Sequence, residues 1–210
     1  MVYTPTLRSV NTLAQQHGFA SYARWRGAPL KGARTGALGV RQQAAHRSAL
    51  QVYTREQLPQ DWAATQNNLG VALCNLGERS EGAEAAIYLQ QSVDAYRSAL
   101  QVLTRKQLPQ DWARTQNNLG NALLVLGERS EGAQGAAYLQ QSVDAFRSAL
   151  QVRTEANQPS QWTSTMVALG RAYESNGDWP NALQTYRQLQ HHYPNDTSLQ
   201  SKINQLAAKK

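Results

Sequence analysis

The chain has little cysteine and no long apolar run. A single cysteine, Cys74, occurs among its 210 residues, and one cysteine cannot form an internal disulfide or a cysteine-based metal site. No stretch approaches the roughly 18 apolar residues of a membrane span, and no apolar core of a secretory signal follows Met1. We therefore expect a cytoplasmic protein without a transmembrane segment, a metal or another cofactor.

Acidic residues are missing from the first 50 positions, although the whole chain has 14 of them. The same segment holds seven of the 21 basic residues, and the other 14 basic residues balance the 14 acidic ones. The net charge of +7 therefore belongs to the N-terminal quarter. Because a nucleic-acid footprint should lie along the rest of the chain, binding of nucleic acid there is not expected.

Repetition is what the sequence has in abundance. Residues 46–95 are followed by residues 96–145 with only ten of fifty positions changed. A fixed period of tens of residues indicates stacked units, each of which buries its apolar face against its neighbours. One continuous array is therefore expected rather than two separate domains.

Each long unit has the pattern of two helices. In the first unit, apolar residues at spacings of three and four predict one helix from Pro59 to a stop at Gly77 and a second from Ala83 to Thr104. Residues 78–82 form the polar connection. The copy predicts helices at residues 109–127 and 133–154. An all-α fold follows.

A shorter third unit carries a more specific pattern, made of Met166, Leu169, Gly170, Tyr173, Ala182, Tyr186 and Pro194. This resembles the tetratricopeptide repeat, whose pattern over about 34 residues is W-x-x-L-G-x-x-Y, A-x-x-x-F and P. The long units keep Leu-Gly and resemble a lengthened variant of about fifty residues. The resemblance implies a right-handed α-solenoid of antiparallel helical hairpins. It also implies a non-enzymatic scaffold that holds a protein or peptide in the concave groove of the first helices.

The array is assigned to residues 41–196, in which residues 41–58 match the second helix of an earlier unit. Residues 1–40 are expected to form a basic, partly disordered segment with one possible helix at residues 3–18. Within it, the Gly- and Arg-rich residues 24–41 predict a loop or a disordered stretch. Residues 197–210 are expected to form a capping helix and a tail.

In the tetratricopeptide family, groove side chains come from fixed positions of the first helices. The resemblance, with Leu-Gly as the register mark, implies these peptide-binding residues: Asn67, Val71, Asn75, Arg114, Asn117, Asn121, Ser164 and Arg171. Four of the ten differences between the long units fall on groove positions, namely Ala64/Arg114, Val71/Asn121, Cys74/Leu124 and Asn75/Val125. If the ten differences were placed at random over the fifty positions, about one would fall on a groove position. The clustering favours graded recognition along the groove, although loosely packed positions would give the same pattern.

The roles of the individual groove residues stay open at this point. Asn67 and Asn117 either grip the backbone of an extended peptide or bond to a neighbouring helix, since an amide supplies donors and an acceptor. Arg114 and Arg171 suit a carboxylate of the ligand. The lysines of the family's clamp for a C-terminal carboxylate are missing, so that mode of binding is not expected.

Candidate catalytic groups have simpler explanations. Cys74 corresponds to Leu124 in the next unit, so a small apolar role suffices. Asp94 and Asp144 are equivalent copies fifty residues apart rather than a catalytic pair. The recurrence of Trp62, Trp112 and Trp162 at one place in each unit indicates packing rather than ligand stacking.

The basic N-terminal segment offers a second candidate surface. Its residues suited to an anionic partner are Arg24, Trp25, Arg26, Lys31 and Arg34. The segment is otherwise a tail without a role or a targeting segment. Two further alternatives concern the whole chain: a sensor array of a larger bacterial signalling system with a caspase-like peptidase or NTPase partner, and self-association by end-to-end stacking.

Overall fold

The computed structural model describes residues 34–209, with side chains from residue 39 onward. This range contains α-helices and no β-strand. The helices are α1 (Arg34–Val52), α2 (Pro59–Arg79), α3 (Gly82–Leu100), α4 (Pro109–Glu128), α5 (Gly132–Leu150), α6 (Pro159–Ser175), α7 (Trp179–His192) and α8 (Thr197–Ala207). Each helix packs against the next one along the chain, and α2, α4 and α6 also contact one another in order. The predicted α-solenoid of helical hairpins is confirmed, whereas its right-handed twist stays a prediction.

In each of the three hairpins α2–α3, α4–α5 and α6–α7, the two helices approach each other closely where a glycine of the first helix contacts an aromatic ring of the second. A Cβ atom added at Gly70 would lie 2.6 Å from the Tyr96 ring, and one at Gly120 would lie 2.8 Å from Phe146. Gly170 has the same relation to Tyr186 at 2.6 Å. The Leu-Gly pair of each unit therefore allows the second helix to approach the backbone of the first.

Successive units share their cores. Leu124 of α4 and Phe146 of α5 pack in one cluster with Met166 of α6 and Tyr186 of α7. Ile203 of α8 lies in the same cluster and covers its end. The apolar surface of one unit is thus buried by the next, as the repeat predicted.

Polar bonds between units lie on both faces of the array. Where the first helices meet, the Thr115 hydroxyl donates to Asn67 Oδ1 at 3.2 Å, and the Thr165 hydroxyl donates to Asn117 Oδ1 at 2.9 Å. On the face of the second helices, arginine side chains donate to glutamines of the next unit, in the pairs Arg47–Gln91 at 3.1 Å and Arg97–Gln141 at 2.7 Å. The same pair of bonds recurs at a spacing of fifty residues.

In the first long unit, both predicted helix ends are wrong. Gly77 is not a stop, because α2 continues to Arg79; a Cβ at Gly77 would lie 2.7 Å from Leu89 Cγ, so the glycine serves close packing. In the connection between α2 and α3, the glycine with a left-handed backbone conformation is Gly82, at the start of α3, with φ of 57°. Helix α3 in turn ends at Leu100 rather than at Thr104.

The loop predicted for residues 24–41 is wrong from Arg34 onward, because α1 begins there. Gly39 is buried, and a Cβ at this position would lie 2.8 Å from Leu76 Cδ2. Packing against α2 outweighs the poor helix propensity of glycine. Residues 1–33, with the possible helix at residues 3–18, lie outside the described part of the chain.

Candidate functional site

The first helices α2, α4 and α6 form one face of the array, called the groove face below. Two cavities open on it. Cavity I has a volume of about 300 Å³ and is lined by α1, α2 and α4, through residues that include Gln42, His46, Asn68, Val71, Arg114 and Asn118. Cavity II has a volume of about 250 Å³, lies between α2, α4 and α6, and also touches Tyr96 of α3.

Cavity II brings together positions at which the two long units differ. Val71 and Asn75 of α2 face the same space as Asn121 and Val125 of α4. These are two of the four groove pairs, so each unit presents one valine and one asparagine, in opposite order. Arg171 of α6 completes the lining on the third side.

Asn67 and Asn117 serve the packing of the array. Asn67 is only 1% exposed, and its amide oxygen accepts hydrogen bonds from Thr115 and Asn118. Asn117 is half-buried and accepts from Thr165. Both amides make a bond to a neighbouring helix, and a role in gripping a peptide stays a prediction.

The groove face instead presents Asn68 and Asn118, which were missed. Both line cavity I and are half-buried. Asn118 donates to Asn67 Oδ1 at 3.3 Å, and Asn67 donates to Asn68 Oδ1 at 3.3 Å. Asn68 and Asn118 directly follow Asn67 and Asn117, and a step of one residue along a helix is a rotation of about 100°, which places these amides at cavity I. The Thr-x-Asn spacing of the two long units is the signal that would have identified the buried member.

The two groove cations have carboxylate partners. The Arg114 guanidinium lies 2.7 Å from Asp111 Oδ1 on its own helix. Arg171 makes a two-pronged contact with Glu128 at 3.0 and 2.5 Å, and Ser175 also donates to Glu128 at 2.8 Å. Both arginines remain on the surface, where such pairs are readily exchanged for a ligand carboxylate.

The remaining groove residues differ in accessibility. Cys74 and Leu124 are buried. Burial, followed by the nearby Glu78 carboxylate, raises the pKa of the Cys74 thiol to about 12, which keeps it in its unreactive form. Ser164 is exposed, and its hydroxyl donates to the Ser160 carbonyl oxygen of its own helix.

Cavity I contains one histidine. His46 is buried at the place of Tyr96 and Phe146 in the later units. Burial lowers the pKa of its imidazole to about 4. The ring is therefore neutral at physiological pH.

The recurring tryptophans lie at the starts of the first helices and are half-buried. Trp62 packs with Ala63, Ala99 and Leu103, and Trp162 packs on the cluster around Met166. These contacts agree with the packing role predicted for them.

Most of the anionic-partner candidates cannot be placed. Arg24, Trp25, Arg26 and Lys31 lie outside the described residues, and Arg34 is the first residue of α1. None of the helices between residues 34 and 209 combines the length and apolar character needed to cross a bilayer. In the same range, no group of three or more His, Cys, Asp or Glu side chains is arranged to hold a metal ion.

Residues 164–196 match the family model described as tetratricopeptide repeat. This segment is similar to a tetratricopeptide repeat. Its helices are α6 and α7, and Gly170 and Tyr186 occupy the places of the family's Gly and later aromatic residue. No curated protein matches the chain. The two long units lie outside the matched residues, and their membership of the family stays a prediction.

A tetratricopeptide repeat is typical of protein-interaction scaffolds. That general role agrees with the all-helical array of hairpins into which this repeat is built.

Proposed function

We propose that the chain is a non-enzymatic scaffold that holds a protein or peptide segment on the groove face. Cavity II carries the proposal, because two pairs of positions that differ between nearly identical units meet at one opening. Because equivalent positions of neighbouring first helices lie side by side, the differences give this one opening a mixed polar and apolar lining. The partner's identity is left to experiment.

The chemistry of the groove face suits an extended peptide. Asn68, Asn118 and Asn121 offer amide donors and acceptors to a peptide backbone. Val71 and Val167 are 38% and 49% exposed, which leaves apolar surface for side chains of the ligand. Alternating amide and apolar contacts of this kind fix the register of a bound chain.

The test exchanges the groove residues of the two long units. The groove swap is Val71→Asn, Asn75→Val, Asn121→Val and Val125→Asn, so every new residue already occurs at the equivalent position of the other unit. Composition and charge are unchanged. We expect the swap to fold normally and to bind at least about tenfold more weakly a peptide selected on the wild type from a phage-displayed random library.

The matched control exchanges differences away from the groove. The outer swap is Glu84→Gln, Ile87→Ala, Gln134→Glu and Ala137→Ile, all at exposed positions of α3 and α5. It should bind the selected peptide with wild-type affinity by fluorescence anisotropy. Wild-type affinity of the groove swap, or an equal loss in both swaps, rejects the groove face as the binding site.

A further inference from the structure

Arg153 differs in chemical type from the residues at the equivalent position of the preceding units. The equivalent residues in the preceding units are Tyr53 and Leu103. Leu103 is 2% exposed and packs with Ala63 and Ala99. The backbone is the same at both places, since the amides of Leu103 and Arg153 donate to the carbonyl oxygens of Ala99 and Ala149 at 2.9 Å. A guanidinium group therefore stands where the preceding unit buries an apolar side chain.

This guanidinium is buried without a counter-charge. Arg153 is 9% exposed, and its Nη1 donates to the Thr165 hydroxyl at 3.1 Å. A guanidinium has five N–H donors, yet no carboxylate between residues 34 and 209 forms an ion pair with it. Glu155, the acidic residue nearest in sequence, lies against His192 instead, at 2.6 Å.

A second cation adds to the excess of positive charge. Burial and then the charge of Arg114 both lower the pKa of Arg153. Asp111 compensates Arg114 at 2.7 Å, which leaves one positive charge in excess. An uncompensated buried charge costs several kcal/mol, so an anion bound beside it would stabilise the folded chain.

The position of Arg153 connects it to the groove face. Its hydrogen-bond partner Thr165 lies on α6 and donates in turn to Asn117 of α4. Arg114 lies one turn before Asn117 on the same helix. The guanidinium therefore lies at the junction of α4 and α6, within electrostatic reach of Arg114, which lines cavity I on the groove face.

We propose that Arg153, with Arg114 beside it, binds one carboxylate group of the groove ligand. The planar fork of a guanidinium matches a carboxylate, and one excess charge matches a monoanion. Both an acidic side chain and a chain terminus supply this group. As a statement about the ligand's chemistry, the inference rests on the proposed function.

The site itself is tested with sodium acetate and without a peptide. Thermal unfolding of the full chain is followed in acetate against sodium chloride at equal ionic strength. Arg153→Leu restores the residue of the preceding unit, and Arg147→Gln removes an exposed charge from α5 as a control. We expect acetate to raise the Tm of the wild type and of Arg147→Gln by about 2 °C or more, and that of Arg153→Leu by nothing beyond chloride. An equal rise in Arg153→Leu, or no rise in the wild type, overturns the site.

The second arm uses the selected peptide. Replacing its Glu and Asp residues by amides, and separately amidating its C-terminus, should identify one carboxylate whose loss weakens wild-type binding by about tenfold or more. The Arg153→Leu variant should bind the amide form and the acid form of the peptide with equal affinity. If no carboxylate matters to the wild type, the inference fails while the groove function stands. If the groove swap binds the peptide normally, the groove function fails even where the acetate effect persists.

Discussion

Lowering the pH from about 7.5 to about 4.5 should destabilise the N-terminal end of the described array, because it charges the buried His46 imidazole. The side chain is 4% exposed and lies in α1, which packs on α2. Protonation places a positive charge next to cavity I, where Arg114 already carries one.

The magnitude follows from the pKa of the folded protein. Burial lowers the pKa of His46 from 6.5 to about 4. The unfolded chain thus binds the proton more tightly than the folded one. The free energy of unfolding that depends on this residue is fully present above about pH 6.5 and is lost as the pH falls towards 4. The difference between the two pKa values corresponds to about 3 kcal/mol.

The measurement compares the wild type with His46→Phe, which introduces the residue found at the equivalent position Phe146. Urea unfolding at several pH values should show the wild type losing about 2–3 kcal/mol more than the variant between pH 6.5 and 4.5. Carboxylates titrate in both proteins and cancel in the comparison. Hydrogen exchange should show α1 opening first. Parallel pH profiles for the two proteins would refute the assignment of a neutral buried imidazole.

Two further predictions concern packing. Gly120→Ala should lower the free energy of unfolding by about 1–3 kcal/mol, because its Cβ would lie 2.8 Å from the Phe146 ring; in a chemical denaturation series, Phe146→Leu in the same chain should recover part of the loss. The Cys74 thiol should react with a disulfide reagent at pH 8 at least about a hundredfold more slowly in the folded protein than in urea, because burial raises its pKa to about 12. A fast reaction under native conditions would contradict that burial.

The repeat and the helical periodicity allowed the fold to be predicted, because apolar spacing reports directly which faces are buried. The ends of the helices could not be predicted as well from apolar spacing. Gly77 has the sequence context of a helix stop but serves contact with Leu89, a tertiary relation that no local pattern contains. The helix Arg34–Val52 packs on α2, with Gly39 close to Leu76, and this contact is likewise absent from the local pattern.

The candidate site was predicted in part. Val71, Asn75, Asn121, Val125 and Arg171 line one cavity, as positions carried over from the family would have it. Asn67 lines cavity I instead, where it is buried and accepts hydrogen bonds from Thr115 and Asn118. Arg153 follows α5 and lies outside the first helices altogether, so the family's groove positions do not include it.

The hydrogen bonds between units have a mechanical consequence. A solenoid deforms like a spring, by opening or closing the angle between neighbouring coils. The Asn–Thr bonds resist stretching along the edge where the first helices meet, and the Arg–Gln bonds resist it along the opposite edge. With both edges linked, bending in either direction strains one of the two sets of bonds. Such a molecule should hold its curvature under load and present its ligand face as a rigid template, paying little entropy when a partner binds.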